Sequence, residues 1–160
     1  MTQTSSGATA YRCERARNDW IAAVNRLEAV QRFGEARVAR LATVGPRGPH
    51  VVPCTFALAG DRIVSVVDRK PKRTTALQRL ANIRSDPRVS LLVDRYDEDW
   101  VRLWWVRADG RAAIEEEGPN RDGAIAALTA RYPQYVRQPP HGPAIVVTVD
   151  RWAWWSALPG

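Results

Sequence analysis

Between residues 18 and 34 the apolar positions Trp20, Val24, Leu27, Val30 and Phe33 fall three or four apart, the spacing of a helix with one buried face. Asn18 stands as its N-cap and Gly34 as its stop. The period then shortens to two. ARVARLATV reads as a strand and, after the break GPRGP, HVVPCTFAL reads as a second, so the pair predicts a hairpin. Pro53 inside the second run points to a sheet edge or a bulge, because a residue without an amide hydrogen leaves a gap in the ladder. Gly60 and Asp61 turn the chain into RIVSVV, a third strand.

Leu77, Leu80 and Ile83 mark a helix that Pro87 ends, since the residue before a proline avoids helical geometry. RVSLLVD is the fourth strand. WVRLWWVRADGRAAIEE reads as two strand halves around Asp109 and Gly110, and the pattern fits either a hairpin or one long bulged strand. Residues 120–131 form an Ala-rich helix, RYPQYVRQPPHGP is a Pro-rich loop, and AIVVTVDRWAWW is the closing strand. No internal repeat is present. About six short strands interrupted by two or three helices lack the regular alternation of a doubly wound sheet. They suit a mostly β, α+β chain built as a small antiparallel barrel with peripheral helices.

A chain of 160 residues is one domain, here residues 18–160, with a disordered lead over residues 1–17 that is rich in Ser, Thr and Arg and has no periodicity. Two cysteines, Cys13 and Cys54, far apart in sequence, give neither a disulfide framework nor a CxxC metal pair, and a reducing cytoplasm fits them best. No apolar run approaches the ~20 residues of a membrane span, and the start MTQTSSGATA lacks a signal-type apolar stretch. No membrane partner is expected. The net charge of +7 favours phosphorylated or polyanionic partners, although a solvated basic surface gives the same number.

Protein-borne catalysis has little support. His50 and His141 are the only histidines, no HxH or HExxH appears, and neither a GxSxG elbow nor a phosphate-cradling GxxxxGK[ST] loop is present. Cys54 lies mid-strand beside Pro53 and reads as a small core residue, and the Glu115–Glu117 run as a solvated face.

The stretch VDRKPKRTTALQRL is different. Lys70 and Lys72 point to one side of an extended segment stiffened by Pro71, Arg73 follows, and Thr74 or Thr75 can cap the helix whose free amides add positive potential. Such a set suits a terminal phosphate monoester, though an exposed basic helix start would look the same. Six of the seven Trp are crowded into the two late strands, at 100, 104, 105, 152, 154 and 155. Neighbouring strand residues face opposite sides, so one of Trp104 and Trp105 lines an interface or a flat-ring pocket, or else the rings are divided between core and scattered surface. Nucleic-acid binding through cations and exposed rings is not expected, because the positive residues focus on one turn rather than tracking a groove.

In order and wording, EARVARLATVGPRGPHVVPCTFAL, VDRKPKRTTALQRLANI, SDPRVSLLVDRYDEDW, LWWVRADGRA and RWAWWSA resemble the pyridoxamine 5'-phosphate oxidase and flavin reductase superfamily, and within it the deazaflavin branch. The resemblance implies a six-stranded antiparallel split β-barrel of the FMN-binding type and a homodimer with two cofactor sites between subunits. It implies an oxidoreductase using coenzyme F420, with FMN or a non-catalytic cofactor carrier as alternatives. Carried over residue by residue, the cofactor phosphate falls on Lys72 and Arg73 with help from Lys70 and Thr74. Pro53, Cys54 and Thr55 match the strand passing the ring edge, Val67 ends the strand before the phosphate grip, and Trp104 and Trp105 lie where a partner subunit closes the site. His50 stands where the pyridoxamine phosphate oxidases carry an arginine, and Pro71 replaces the serine of their SRK word. Both departures argue against pyridoxamine phosphate oxidation.

Overall fold

The computed structural model describes residues 25–68 and 77–157. The expected lead over residues 1–17, Asn18, Trp20 and the basic residues from Arg69 to Arg73 lie outside them. Seven strands form one antiparallel sheet in the order β2-β1-β5-β6-β7-β4-β3. They are β1 (Ala39–Gly45), β2 (Gly48–Cys54), β3 (Ala57–Ala59), β4 (Arg62–Val66), β5 (Arg88–Arg95), β6 (Trp104–Glu115) and β7 (Ala144–Ser156). Helix α1 covers 25–35, and α2 (Gln78–Ser85), α3 (Pro119–Arg131) and α4 (Pro133–Arg137) follow.

The count corrects the six-strand expectation. HVVPCTFAL is not one strand: it breaks at Thr55 and Phe56 into β2 and β3, which end up at opposite edges of the sheet. A two-residue link nevertheless keeps those edges close, so the sheet curls round and stops short of closure at a seam between β2 and β3. It is an open sheet rather than a closed barrel. The prolines give the physical reason. A two-residue turn at Pro46 and Arg47 makes Gly45 and Gly48 the closing pair of the β1–β2 hairpin. Alternation then puts Pro49, Val51 and Pro53 with their backbone groups facing away from β1. Two of those three residues have no amide to donate, so β2 cannot continue the ladder.

Gly45 also has a packing role, because a Cβ there would come within 2.1 Å of the Asn82 amide oxygen on α2. Inside the curl lie Phe33, Leu41, Phe56, Ile63, Leu91, Val93, Val106, Ile145 and Val147. A second layer forms where α3 sets Ala124 and Leu128 against Val64, Val66, Ala144 and Val146. The first half of β7 and most of β4 are therefore buried on both faces, which explains their unbroken apolar runs. In α1 the buried stripe is Ala29 and Phe33, while Leu27 is 73% exposed, so the stripe lies to one side of the expected one. The helix ends at Glu35, one residue past Gly34 and so close to the expected stop, and Gly34 lies against the end of the Leu58 side chain.

WVRLWWVRADGRAAIEE resolves into a short 3-10 turn, Trp100–Arg102, and one long strand, β6, with the bulge on its partner β7 rather than in this segment. The register steps from Asp109↔Arg151 to Gly110↔Val149, leaving Asp150 as the extra residue on β7. Gly110 is required at this point: a Cβ would sit 2.2 Å from the Thr148 carbonyl oxygen. Asp109 fastens the bulge. Its carboxylate accepts from Ser90 Oγ at 2.7 Å, Arg151 Nη2 at 2.8 Å and Arg107 Nη2 at 3.1 Å, tying three strands together. Partial burial raises its pKa, but the hydrogen bonds from Ser90, Arg151 and Arg107 outweigh that and hold it below the ordinary carboxylate value. A depressed folded pKa gives stability that is complete above the unfolded value of about 4 and fades as pH falls toward the lower folded value. Urea unfolding between pH 5 and pH 2 should therefore show less acid-dependent loss in Asp109→Asn than in the parent, the variant being already weaker at pH 5.

Candidate functional site

The seam between β2 and β3 is held from outside the sheet. Tyr132, at the α3–α4 junction and only 2% exposed, accepts the Phe56 N–H on its hydroxyl at 3.2 Å. The same hydroxyl lies 2.8 Å from the Phe56 carbonyl oxygen and 2.9 Å from that of Arg37, either of which its single proton can serve. Backbone groups that leave the ladder at the strand break are thus satisfied by one buried phenol. Arg131 lies over the Phe56 ring, 5.4 Å from its centroid, and covers the same spot.

Three of the sequence-predicted residues meet beside this seam. Cys54 ends β2 with its thiol turned inward, packed on the core and hydrogen-bonded to Ser65 of β4. Thr55 Oγ1 lies 3.0 Å from the Tyr135 hydroxyl, which in turn lies 3.5 Å from Asp68 Oδ2. Val67 is pinned just past β4: its N–H donates to the Pro143 carbonyl at 3.0 Å, and its own carbonyl accepts the Gly142 N–H at 3.1 Å. Gly142 must be small, since a Cβ would approach that carbonyl oxygen to 2.6 Å. Pro53 is exposed on the edge of β2. Its carbonyl and those of Pro49 and Val51 point outward with a single N–H, that of Val51, so the edge is rich in acceptors.

The far side of the region is a polar chain from the hairpin tip to α2. Arg47 Nη2 donates to Gln78 Oε1 at 2.5 Å, Gln78 Nε2 to Asn82 Oδ1 at 2.7 Å, and Asn82 Nδ2 to Thr43 Oγ1 at 3.0 Å. His50 shares the inward side of β2 with Cys54, and its Nδ1 is buried without a hydrogen-bond partner among the described residues. Sequence reasoning missed Tyr132, Tyr135, Gln78 and Asn82. The paired tyrosines of YPQY were the available signal, hidden inside a Pro-rich segment.

Lys70, Lys72, Arg73 and Thr74 lie outside the described residues, which resume at Leu77 directly before α2. Trp104 and Trp105 do not join Cys54, Thr55 and Val67 within one chain. They open β6, three strand steps from β2, or about 14 Å at ~4.8 Å per step. There Trp105 pairs with Trp155 on the face away from α1, while Trp104 faces a separate cavity against α1 with the Arg32 guanidinium 6.0 Å from its ring centroid.

A family model described as pyridoxamine 5'-phosphate oxidase matches residues 27–158. The chain belongs to the pyridoxamine 5'-phosphate oxidase family. Among solved structures, this family member is similar to a conserved hypothetical protein of Mycobacterium tuberculosis, at 25% identity over 82% of this chain and 84% of that one, with a TM-score of 0.67. It shares its fold with an FAD-binding protein of Mesorhizobium loti, at 21% identity over 80% and 91% of the two chains and a TM-score of 0.61. It also shares it with a HupZ variant of Group A Streptococcus, at 22% identity over 76% and 92% and a TM-score of 0.58. No curated protein matches the sequence. Among the described residues, no helix is long and apolar enough to cross a membrane.

The seam chemistry of this oxidase-family chain can be probed directly. Burial pushes the Cys54 thiol up to about 11, with the Ser65 hydrogen bond and the Arg79 charge only partly opposing the shift. The thiol is accordingly neutral at physiological pH and a poor nucleophile. In a Cys13→Ser background, iodoacetamide at pH 8 should label Cys54 roughly 100-fold more slowly than a free cysteine; labelling at the free rate would show the thiol is not buried. Tyr132→Phe removes the hydroxyl that serves Phe56 and should lower unfolding free energy by about 1–3 kcal/mol, measured in urea.

Proposed function

We propose that this protein is an F420-dependent oxidoreductase that transfers a hydride between reduced deazaflavin and an electrophilic organic substrate. One observation carries the reading: in a chain of this family, the end of β4 is fixed at Val67 and Asp68 beside Cys54 and Thr55, so the segment that follows, with Lys70, Lys72, Arg73 and Thr74, starts out at the seam. What the described residues offer a flat ring is a β2 edge with outward carbonyls at Pro49, Val51 and Pro53, and on the inward side of that strand a His50 nitrogen without a hydrogen-bond partner among the described residues.

When bound, the deazaflavin would supply the two-electron hydride chemistry, so the reading asks no acid, base or nucleophile of the chain. The chain's own part is binding and exclusion. Lys72 and Arg73 hold the phosphate, Arg in bidentate fashion and Lys as a point charge, with Lys70 and Thr74 assisting. Pro53, Cys54 and Thr55 pass the ring edge, and the neutral Cys54 thiol adds no competing charge. The apolar wall behind it keeps water from the reacting face. Trp104 and Trp105 close the groove from a second copy, making a homodimer with two sites, in a cytoplasmic setting where reduced coenzyme is available. Its fold is shared by an FAD-binding protein, so FMN is the competing ligand, and a carrier without turnover is the competing role.

Fluorescence titration of the purified chain with deazaflavin and with FMN decides the ligand, because the two chromophores differ in absorption and emission. Lys72→Ala with Arg73→Ala should weaken the phosphate-bearing cofactor by about 100-fold and the same ring system without phosphate hardly at all. Equal losses for both would remove the phosphate site from this stretch. Oxidation of the reduced coenzyme on adding quinones, enones or tetrapyrroles separates enzyme from carrier.

A further inference from the structure

Strand register brings together three arginines that lie far apart in the sequence. Arg88 of β5 stands directly opposite Arg111 of β6, Arg111 opposite Thr148 of β7, and Thr148 opposite Arg62 of β4. Residues paired in this way share one face of a sheet, and all four are exposed. The row sits in a step. On one side the next residues of this face, Val64 and Val146, lie under α3; on the other stands the Asp109 network with Ser90 and Arg151. Trp105 is six positions back along β6, about 20 Å away at ~3.4 Å per residue, so the row is remote from the ring given to the proposed groove.

Like charges set opposite one another on neighbouring strands repel, and the chain offsets only part of this row. Arg88 is held by Asp86, whose carboxylate accepts from its Nε at 3.0 Å and its Nη2 at 2.6 Å. Arg111 acts on that carboxylate through its field without pairing to it. Arg62 has no ion pair among the described residues, and the Thr148 hydroxyl has no hydrogen-bond partner among them. Two unpaired guanidiniums therefore flank a hydroxyl across two strand steps, about 10 Å at ~4.8 Å per step. A tetrahedral oxyanion suits such a set, because each guanidinium can grip two oxygens and the hydroxyl can donate to another. The row is also short. Beyond Arg88 this face continues with Val44 and Pro49, and beyond Arg62 with Ala59, so a nucleic-acid strand would find no cations along its further path. Asp61 and Asp150, close to the row in sequence, set its negative borders.

We infer that Arg62, Thr148 and Arg111 form a surface binding site for the doubly charged phosphate group of a small organic phosphate. The two guanidiniums close on it from either side and the Thr148 hydroxyl donates from between them. The site uses none of the residues given to the deazaflavin phosphate and stands or falls separately from that reading.

The test uses the full chain carrying Lys72→Ala and Arg73→Ala, so that the proposed cofactor phosphate site cannot contribute. Phenyl phosphate is added at pH 7 with ionic strength held constant, and the arginine Nε–H signals are followed by nitrogen-15 NMR. Saturable shifts are expected at Arg62 and Arg111, with Arg84 and Arg137 unmoved. Arg62→Gln and Arg111→Gln should each weaken binding about tenfold, and Thr148→Val about threefold. Arg84→Gln removes the same charge elsewhere and should leave the affinity unchanged. Asp150→Asn should tighten binding about threefold. At pH 5, where the phosphate keeps only one charge, binding should fall about fivefold. Shifts that never saturate, or equal shifts at Arg84, would reduce the row to a solvated basic surface and overturn the site. Unaltered affinity in folded Arg111→Gln would do the same. So would tighter binding at these residues of a single-stranded oligonucleotide without a terminal phosphate, because the occupant would then be a polymer.

Discussion

One buried hydroxyl holds the architecture at its weakest point. The sheet cannot close, because β2 carries two prolines whose backbone faces outward and the chain must leave the ladder at Thr55 and Phe56 to begin β3 at the other edge. That departure strands an amide and a carbonyl in a dry environment, where an unpaired polar group costs about 1–3 kcal/mol. Tyr132 meets both the Phe56 groups and lies within reach of the Arg37 carbonyl, so a helix far along the chain fixes the geometry of an early strand break. Three positions later Tyr135 links Thr55 to Asp68, and the end of β4 is brought to the same place. The α3–α4 corner is the clamp that makes a site out of two strand ends.

The opposite end of the molecule is organised by a second constraint, the unequal length of the β6–β7 ladder. A bulge at Asp109 and Gly110 admits Asp150 as an extra residue and shifts the facing of everything beyond it. Before the bulge β7 is buried on both sides, at Ala144, Ile145, Val146 and Val147; after it the strand carries Trp152, Trp154 and Trp155. Trp152 turns in to meet Phe33 at 5.0 Å between ring centroids, while Trp154 and Trp155 remain partly in water beside Trp104 and Trp105. Aromatic crowding in the sequence thus divides between the two faces of the sheet, Trp152 and Trp154 on the α1 side and Trp155 with Trp105 on the other, because of one inserted residue.

Family membership and the seam belong together, but they speak to different questions. The match over residues 27–158 fixes the kind of scaffold. On the proposed reading, the groups that would bear on a bound ring are a partly buried neutral thiol, an acceptor-rich edge and a histidine nitrogen with no partner among the described residues. Each would tune how a ring is held rather than transform it, as expected when the cofactor brings the chemistry.

Local periodicity was enough to place β1, β4, β5 and β7 within a few residues, to end α2 before Pro87 and to put Pro53 at an edge, whereas α2 starts only at Gln78, with an extended Leu77 rather than Thr74 or Thr75 at its N-cap position. These outcomes follow from backbone rules that act between near neighbours: alternation, proline's missing donor, and turn residues. The seventh strand, the displaced buried stripe of α1 and the choice of one long strand over a hairpin, with the bulge on β7, were not legible, because each is settled by what arrives from elsewhere in the chain. The YPQY segment looked like loop but carries the two phenols of the clamp. Sequence alone determined the scaffold and the residue types available for a phosphate and a ring. Only the tertiary structure decided that Cys54, Thr55 and Val67 meet while Trp104 and Trp105 stand apart, since contacts between residues 80 positions distant depend on packing that no local pattern encodes.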